Sequence, residues 1–265
     1  MSIYEYTPML IYCVAAAFIL GTCMGSFLNC AAYRSVREES FLKGHSHCTS
    51  CGHDLGIRDL IPLLSWLSSK GRCRYCGAKV SVRYPLTELA FGIITVMCLL
   101  QFDLTWLCLR NYIFLCVLFM LTLTDIDDMI IPDECHIVAV IVWVAALPLL
   151  HMGRKEILMH VAAALLFGGG LLAISLIMDR IMGRDTLGGG DIKLIAVVGL
   201  YLGITGTLFT LIIACIAGLV YNLIANKASD EGNAFPFGPW IAGAAALMLL
   251  YGEPLINWYQ GLLGL

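Results

Sequence analysis

Long apolar runs separated by short polar segments dominate the pattern of this chain. At about 20 apolar residues per membrane crossing, the pattern predicts eight spans, at 9–33, 86–102, 107–124, 135–151, 157–178, 191–204, 206–224 and 237–252. Residues 202–206 fit either a tight turn or a kink in a longer apolar hairpin, because Gly203 and Gly206 interrupt the apolar run. We therefore predict an all-α polytopic membrane protein of about eight transmembrane helices.

The composition and the charge distribution support this prediction. Hydrophobic residues make up 60% of the chain and charged residues 13%, with a mean hydropathy of +0.85, which is typical of membrane proteins and excludes an ordinary soluble domain. Segment 34–84 holds nine of the sixteen basic residues: Arg34, Arg37, Lys43, Arg58, Lys70, Arg72, Arg74, Lys79 and Arg83. By the positive-inside rule this loop is cytoplasmic.

Alternation of the predicted spans assigns the remaining basic residues to the two sides. The cytoplasmic side receives four more, namely Arg180, Arg184, Lys193 and Lys227. Only Arg110, Arg154 and Lys155 are placed outside. The same alternation puts the end of span 107–124 and the start of span 191–204 at the cytoplasmic edge.

Two acidic motifs lie where apolar spans meet loops. The first reads Thr-Asp-Ile-Asp-Asp-Met-Ile-Ile-Pro-Asp over 124–133, and the second reads Gly-Gly-Gly-Asp-Ile-Lys over 188–193. Acids beside hydrocarbon are costly and usually functional, so Asp125 and Asp191 are predicted to form a catalytic pair that activates water. Taken singly, each acid also fits an ordinary helix end. Asp127, Asp128 and Asp133 are interpreted as solvated loop acids, with Asp127 as the alternative to Asp125.

The local sequence suggests different surroundings for the two acids. Asp125 follows an apolar run and is expected at the negative, C-terminal end of a helix. No helix is expected through Gly188–Gly190, so Asp191 is predicted to be the N-cap at the positive end of the next span. We therefore expect Asp191 to act more often as the base and Asp125 as the acid.

A cysteine pattern in the basic loop indicates a metal site. Two CxxC motifs, separated by 21 residues, supply Cys48, Cys51, Cys73 and Cys76. Gly52 and Gly77 follow the second cysteine of each motif, as in zinc knuckles, so we predict a closed, structural zinc site. His45, His47 or His53 can replace one ligand. Redox-active thiols, or disulfides if the topology is inverted, are the alternatives. The other eight cysteines are interpreted as small buried hydrophobes: Cys13, Cys23, Cys30, Cys98, Cys108, Cys116, Cys135 and Cys215.

Small and polar residues inside the spans suggest close packing. Gly21, Gly25 and Asn29 recur every four residues on one helix face, which favours helix packing over ligand contact, although Asn29 can also bind substrate backbone. Gly168–Gly170 is likewise interpreted as a packing surface. Glu88 lies just inside the second span and is either functional or paired with Arg34 or Arg83.

Taken together, these motifs resemble the type IV prepilin peptidases, which are bifunctional prepilin leader peptidases and N-methyltransferases of bacteria. The likeness rests on Asp-Ile-x4-Ile-Pro-Asp and Gly-x-Gly-Asp-x-Lys, and it extends over Gly25–Asn29, the four cysteines, Arg83-Tyr84-Pro85 with Glu88, and Pro236–Pro239. The family's two catalytic aspartates correspond to Asp125 and Asp191. The resemblance implies an inner-membrane aspartic endopeptidase whose active site faces the cytoplasm.

The resemblance also implies substrates, cofactors and a domain organisation. Type IV prepilins or type II secretion pseudopilins would be cut after a glycine, and the new N-terminal residue would then be methylated from S-adenosylmethionine. No GxGxxG motif after a strand is present, so no methyl-donor residue is assigned. The expected partners are these substrates and the lipid bilayer, without nucleic acid. The expected parts are a first transmembrane helix (1–33), a cytoplasmic four-cysteine loop (34–84) and a protease core (85–265).

Two other classes of protein remain open on the residues alone. A membrane thiol-redox protein would use the CxxC pairs and would depend on the cysteines rather than on the aspartates. A transporter or channel would use the acids for protons or cations, but the sequence has no inverted repeat. Neither class explains why the two acids lie in Ile-Pro and Gly-rich contexts.

Overall fold

The described part of the chain is almost entirely helical. The computed structural model describes residues 7–37, 46–183, 187–225 and 236–263. Within these ranges the α-helices are α1 (Thr7–Ser35), α2 (Leu64–Ser68), α3 (Arg83–Phe102), α4 (Trp106–Asp128), α5 (Asp133–Leu149), α6 (Arg154–Met182), α7 (Gly189–Ala225) and α8 (Gly238–Leu263). The predicted all-α fold is confirmed. Four residues used in the predictions, Lys43, His45, Arg184 and Lys227, lie outside the described ranges.

Six of the described helices, all except α2 and α5, are long and apolar enough to cross a membrane. Helix α5 has 17 residues, a length of about 26 Å, which is slightly short of a hydrocarbon core of about 30 Å. Helix α7 is broken at Gly203 (φ 66°, ψ −169°), where the sequence predicts a turn or kink. Each predicted span falls on a helix, with 191–204 and 206–224 on the two parts of α7. The chain is a multi-pass membrane protein.

The chain divides into two compact units, Met1–Cys108 and Leu109–Leu265. In the first unit, α1 packs along α3. A Cβ built on Gly21 would overlap Thr95, and one built on Gly25 would lie 3.0 Å from Cβ of Phe91. The small-residue face predicted on the first span is therefore the surface that contacts α3.

Helix α7 is the centre of the second unit, because α5, α6 and α8 all pack against it. A Cβ on Gly168 of α6 would lie 2.6 Å from Cβ of Ala196, and one on Gly199 would lie 2.7 Å from the backbone of Ala164. These close approaches agree with the packing interpretation of Gly168. Glycines 169 and 170 have no neighbour within 4 Å among the described residues and take no part.

Tyr201 of α7 connects three helices of this unit. Its ring stacks on Phe114 of α4 with the centroids 3.7 Å apart. Its hydroxyl donates a 2.8 Å hydrogen bond to the carbonyl oxygen of Ala139 on α5. Because Tyr201 is buried, these contacts fix α4 and α5 against α7, and the acidic motifs lie at ends of these helices.

Candidate active site and metal centre

Asp125 lies in the last turn of α4, which ends at Asp128. Met129, with a φ of 54°, ends the helix and donates its N–H to the carbonyl oxygen of Asp125 at 3.1 Å. The side chain of Asp125 is only 5% exposed, and its Oδ2 has no hydrogen-bond partner among the described residues. The predicted position at the C-terminal end of a helix is therefore confirmed.

Asp191 is the third residue of α7 rather than its N-cap, so that prediction is wrong. Gly189 and Gly190 belong to the helix, and the carbonyl oxygen of Gly188 accepts the N–H groups of Asp191 at 3.1 Å and Ile192 at 3.3 Å. Asp191 nevertheless remains at the positive end of α7. Its Oδ1 is buried and has no hydrogen-bond partner in the described part of the chain.

Tertiary packing requires a glycine at position 190 of this helix. A Cβ on Gly190 would lie 2.8 Å from Cβ of Ile131, so no larger residue fits without a shift. Glycine costs about 1 kcal/mol relative to alanine within a helix, and the close contact with Ile131 offsets this cost. From the sequence, the run of three glycines predicted a loop, but Gly189 and Gly190 form the start of α7.

Ile131 links the surroundings of the two acids. It lies in the segment between α4 and α5, and its side chain packs against Gly190 at the start of α7 and against Gly238 at the start of α8. A Cβ on Gly238 would lie 2.7 Å from Oδ2 of Asp125. The charge of Asp125 also acts on the Asp191 carboxyl. The ends of α4, α7 and α8 thus meet around Ile131, next to both acids.

The start of α8 changes the electrostatic comparison of the two acids. Asp125 lies at the negative end of α4, but it also lies against Gly238, the first residue of α8. Asp191 lies at the positive end of α7. Both carboxyls therefore meet the positive end of a helix. The difference in helix-end electrostatics that favoured Asp191 as base and Asp125 as acid is therefore reduced. For Asp125, the sequence showed only the end of α4 and not the start of α8.

The other acids of the first motif are exposed. The sequence analysis placed Asp127 and Asp128 in a loop, but they lie in the last turn of α4. Asp133 begins α5 and forms an ion pair with Lys193, in which Oδ1 and Nζ are 2.6 Å apart. Sequence analysis missed this pair, because the two residues are 60 positions apart.

His136 is a buried residue of α5 close to the first acidic motif. It is 6% exposed, and neither ring nitrogen makes a hydrogen bond within the described residues. Its Nδ1 lies 4.0 Å from Oδ1 of Asp133, one turn earlier on α5. The only signal of this contact in the sequence is the spacing of three residues between Asp133 and His136. This spacing places the two side chains on one helix face only if α5 begins at Asp133.

The four-cysteine loop brings its thiols together. The Sγ atoms of Cys48, Cys51, Cys73 and Cys76 all lie within 4.8 Å of one another. Four sulfurs bound to one tetrahedral zinc ion at about 2.3 Å would be about 3.8 Å apart, and those of Cys48 and Cys76 are separated by 4.0 Å. The cluster therefore fits a single metal ion.

The two CxxC motifs fold in the same way. Gly52 donates its N–H to the carbonyl oxygen of Cys48 at 2.8 Å, and Gly77 donates to Cys73 at 2.9 Å. Both glycines have positive φ values, 70° and 73°, that other residues adopt at a cost. Backbone amides of Ser50 and Cys51 lower the pKa of the Cys48 thiol to about 6. At Cys48 this geometry favours the thiolate form that binds metal.

Glu88 ties the four-cysteine loop to α3. Its Oε2 accepts the backbone N–H of Leu63 at 2.7 Å, and the side chain is 7% exposed. Leu63 has a φ of 61° immediately before α2, a conformation that costs free energy in a residue other than glycine. Neither alternative from the sequence included this contact, which gives Glu88 a role in holding the loop.

Comparison with known proteins identifies two matching sequence families. Residues 19–102 match the bacterial peptidase A24 N-terminal domain, and residues 112–223 match the type IV leader peptidase family. The first match contains the four cysteines and Glu88, and the second contains Asp125 and Asp191. No solved structure matches the chain.

Several curated proteins named "Prepilin leader peptidase/N-methyltransferase" are similar to this chain. The Myxococcus xanthus protein is 34% identical over 217 residues, which cover 82% of this chain and 64% of that protein. The Aeromonas salmonicida protein is 32% identical over 271 residues, covering 91% and 92%. The Bacillus subtilis protein is 30% identical over 246 residues, covering 91% and 96%.

Proposed function

Because this chain belongs to the type IV leader peptidase family, we propose that it is a membrane aspartic endopeptidase with Asp125 and Asp191 as its catalytic pair. Its substrates are type IV prepilins or type II secretion pseudopilins, from which it removes the leader peptide. The observation that supports this most directly is the meeting of helix ends around Ile131, where a buried carboxylate oxygen from each of two helices has no hydrogen-bond partner among the described residues.

The chemistry of the pair follows from two carboxyls that share one proton. Like charges at close range disfavour double ionisation, so one carboxyl stays protonated while the other is ionised. The ionised carboxylate takes a proton from water, and the water attacks the scissile carbonyl carbon. The protonated carboxyl donates its proton toward the carbonyl oxygen, and a proton then passes to the leaving amine. Since both acids meet a helix N-terminus, either can hold the proton first.

The position of the pair suits a substrate that is itself a membrane helix. Both acids lie at helix ends, so the water they activate is at the membrane edge rather than in the hydrocarbon. The basic segment 34–84 supports a cytoplasmic orientation of this edge in the bacterial inner membrane. Residues 85–265 form the proposed protease core and contain both acids.

The four-cysteine cluster is proposed to hold a structural zinc ion. Cys48, Cys51, Cys73 and Cys76 fill all four positions of a tetrahedral site, which leaves none open for substrate. The segment around the cluster exposes large apolar residues, among them Ile57, Leu64 and Leu67, and has little core of its own. The ion would therefore stabilise the loop and take no part in cleavage.

Methylation of the new N-terminal residue is the second proposed activity. It is supported by the names of the similar proteins from three bacteria, and S-adenosylmethionine is the proposed methyl donor. No residue of this chain is assigned to the donor site.

The test is cleavage of a candidate prepilin by the detergent-purified full-length protein, followed as the size shift on leader removal. We expect Asp125→Asn and Asp191→Asn each to abolish the shift. Asp128→Asn is the matched control, because it changes an exposed acid in the same turn of α4, and it should cleave normally. Asp127→Asn tests the alternative assignment and should also cleave.

The opposite results have clear meanings. Cleavage that survives Asp125→Asn or Asp191→Asn would refute the catalytic pair. Loss with Asp127→Asn but not with Asp125→Asn would move the first catalytic acid by two residues. If both aspartate variants cleave and Cys48→Ser does not, the cysteine loop is the active element and the thiol-redox alternative is favoured.

A further inference from the structure

Two cysteine side chains face each other at the connection between α3 and α4. Cys98 lies in the last two turns of α3, and Cys108 lies in the first turn of α4. Their Sγ atoms are 4.0 Å apart. Each sulfur also lies near the other residue's carbonyl oxygen, at 3.7 Å for Cys98 and 3.8 Å for Cys108. The sulfur of each residue thus lies close to both the sulfur and the backbone carbonyl of the other.

Hydrogen bonds hold this connection in place. Asp103 donates its N–H to the carbonyl oxygen of Leu99 at 2.9 Å, and its Oδ1 accepts the N–H of Leu104 at 2.7 Å. The Thr105 hydroxyl oxygen accepts the N–H of Cys108 at 3.1 Å, which caps the start of α4. Because the turn is fixed on both sides, the two sulfurs stay close.

The two thiols differ in exposure. Cys98 is 1% exposed, whereas Cys108 is half-buried. Cys108 is therefore the more accessible thiol of the pair. This asymmetry is suited to disulfide exchange, in which the accessible thiol attacks an external disulfide first and its protected neighbour then attacks the resulting mixed disulfide.

The turn lies on the side of the membrane opposite the basic loop. Helix α3 has 20 residues, a length of about 30 Å that crosses the hydrocarbon core. Arg83 is at its basic, proposed cytoplasmic end, and the turn after Phe102 carries Asp103 and no Lys or Arg. In the proposed orientation the thiols face the outer compartment, where disulfides form and persist.

We propose that Cys98 and Cys108 are a redox modification site that forms an intramolecular disulfide by exchange with an external disulfide. The Cys108 thiolate attacks one sulfur of the oxidant, which forms a mixed disulfide and releases the first thiol. The Cys98 thiolate then attacks Sγ of Cys108, which forms the Cys98–Cys108 bond and releases the second thiol. The two cysteines are oxidised, the external disulfide is reduced to two thiols, and their two protons pass to those thiols. The sulfurs approach from 4.0 Å to about 2.05 Å.

The proposal is tested on the full-length protein in bacterial membranes, with oxidised glutathione as the oxidant. After acid quenching and denaturation, thiols are alkylated with N-ethylmaleimide, and the peptides are mapped by mass spectrometry without reduction. Ten of the twelve cysteines should carry the alkyl group, and a peptide pair linked through Cys98 and Cys108 should appear. Reduction before alkylation should restore both sites. Because the assay does not use prepilin cleavage, it is independent of the proposed peptidase activity.

Single variants test the order of the steps. In Cys98→Ser, Cys108 should accumulate as the mixed disulfide with glutathione, and in Cys108→Ser, Cys98 should remain alkylatable. Cys116→Ser, which removes another half-buried cysteine of α4, should keep the linked pair. Alkylation of both Cys98 and Cys108 after oxidation of the wild type would overturn the proposal. So would glutathione on Cys98 in Cys108→Ser, because it would show that Cys98 reacts directly.

Discussion

Nζ of Lys193 lies 2.6 Å from Oδ1 of Asp133, and this ion pair joins the two acidic motifs across 60 positions of sequence. It links the first turn of α7, which carries Asp191, to the start of α5. The Lys193 side chain is 53% exposed and the Asp133 side chain 62%. An exposed pair contributes about 0–1 kcal/mol to stability, so we expect its main effect to be on the relative position of the two motifs.

Charge reversal tests this orienting role. In Lys193→Glu, two like charges face each other, and we expect kcat/KM for prepilin cleavage to fall about five-fold, which corresponds to about 1 kcal/mol. The double variant Asp133→Lys/Lys193→Glu restores opposite charges and should recover most of the activity. Its thermal unfolding should match that of the wild type. A double variant as slow as the single one would show that the pairing itself has no role.

Gly190 and Gly189 provide a matched pair of substitutions in one helical turn. A Cβ on Gly190 would lie 2.8 Å from Cβ of Ile131, whereas one on Gly189 has no described neighbour within 4 Å. Gly190→Ala should displace the first turn of α7 and lower kcat roughly 100-fold, the cost of misplacing a catalytic group by about 1 Å. Gly189→Ala should cleave at the wild-type rate. Equal effects of the two substitutions would contradict this packing argument.

Removal of the Glu88 carboxylate should loosen the four-cysteine loop. Glu88→Ala leaves the Leu63 N–H without its acceptor, at a cost of about 1–3 kcal/mol, and Glu88→Gln keeps an acceptor and should cost less. Limited proteolysis between residues 46 and 82 measures this, with faster cutting expected in the order Ala, Gln, wild type. Glu134→Ala, at an exposed acid of α5, is the control. Cutting rates unchanged in Glu88→Ala would remove the proposed role of this contact.

The metal prediction is tested by elemental analysis of the purified protein. We expect about one zinc ion per chain, as a closed site of four thiolates requires. Cys51→Ser should lose the zinc and lower the temperature at which the loop becomes sensitive to protease, and chelation of the wild type should do the same. Cys215 lies outside the cluster and is exposed, so its interpretation as a buried residue is wrong. Cys215→Ser should retain the metal. Full zinc content in Cys51→Ser would refute the assigned ligand set.

The helices and the cysteine cluster could be predicted because their signals are local. The apolar runs predict the helices. The spacing of Cys48 and Cys51, followed by a glycine, is repeated at Cys73 and Cys76, and this repeat predicts the cluster. The end of α4 was predicted only to within about one turn, because the change of hydropathy beyond Thr124 placed Asp127 and Asp128 in a loop rather than in the helix. In each case the residues that form the structure are neighbours in sequence or follow a repeated spacing.

The remaining features depend on contacts between distant segments. The N-cap prediction for Asp191 failed because the packing of Ile131 on Gly190 is invisible in the glycine run itself. The ion pair of Lys193 has its partner 60 residues away, and the start of α8 beside Asp125 joins segments more than a hundred positions apart. A single sequence gives the chemistry of such residues but not their partners.

The contacts of Ile131 also relate the proposed active site to the lipid around it. The carboxyls of Asp125 and Asp191 come from different helices, so the packing of α4, α7 and α8 around Ile131 sets their separation, rather than the covalent chain. Membrane helices adjust their tilt when the hydrocarbon core is thinner or thicker than their apolar length. A change of tilt at α7 or α8 moves one acid relative to the other. We therefore expect the hydrophobic thickness of the bilayer to act on the proposed active site as a physical variable, in the same sense as pH acts on a soluble aspartic protease.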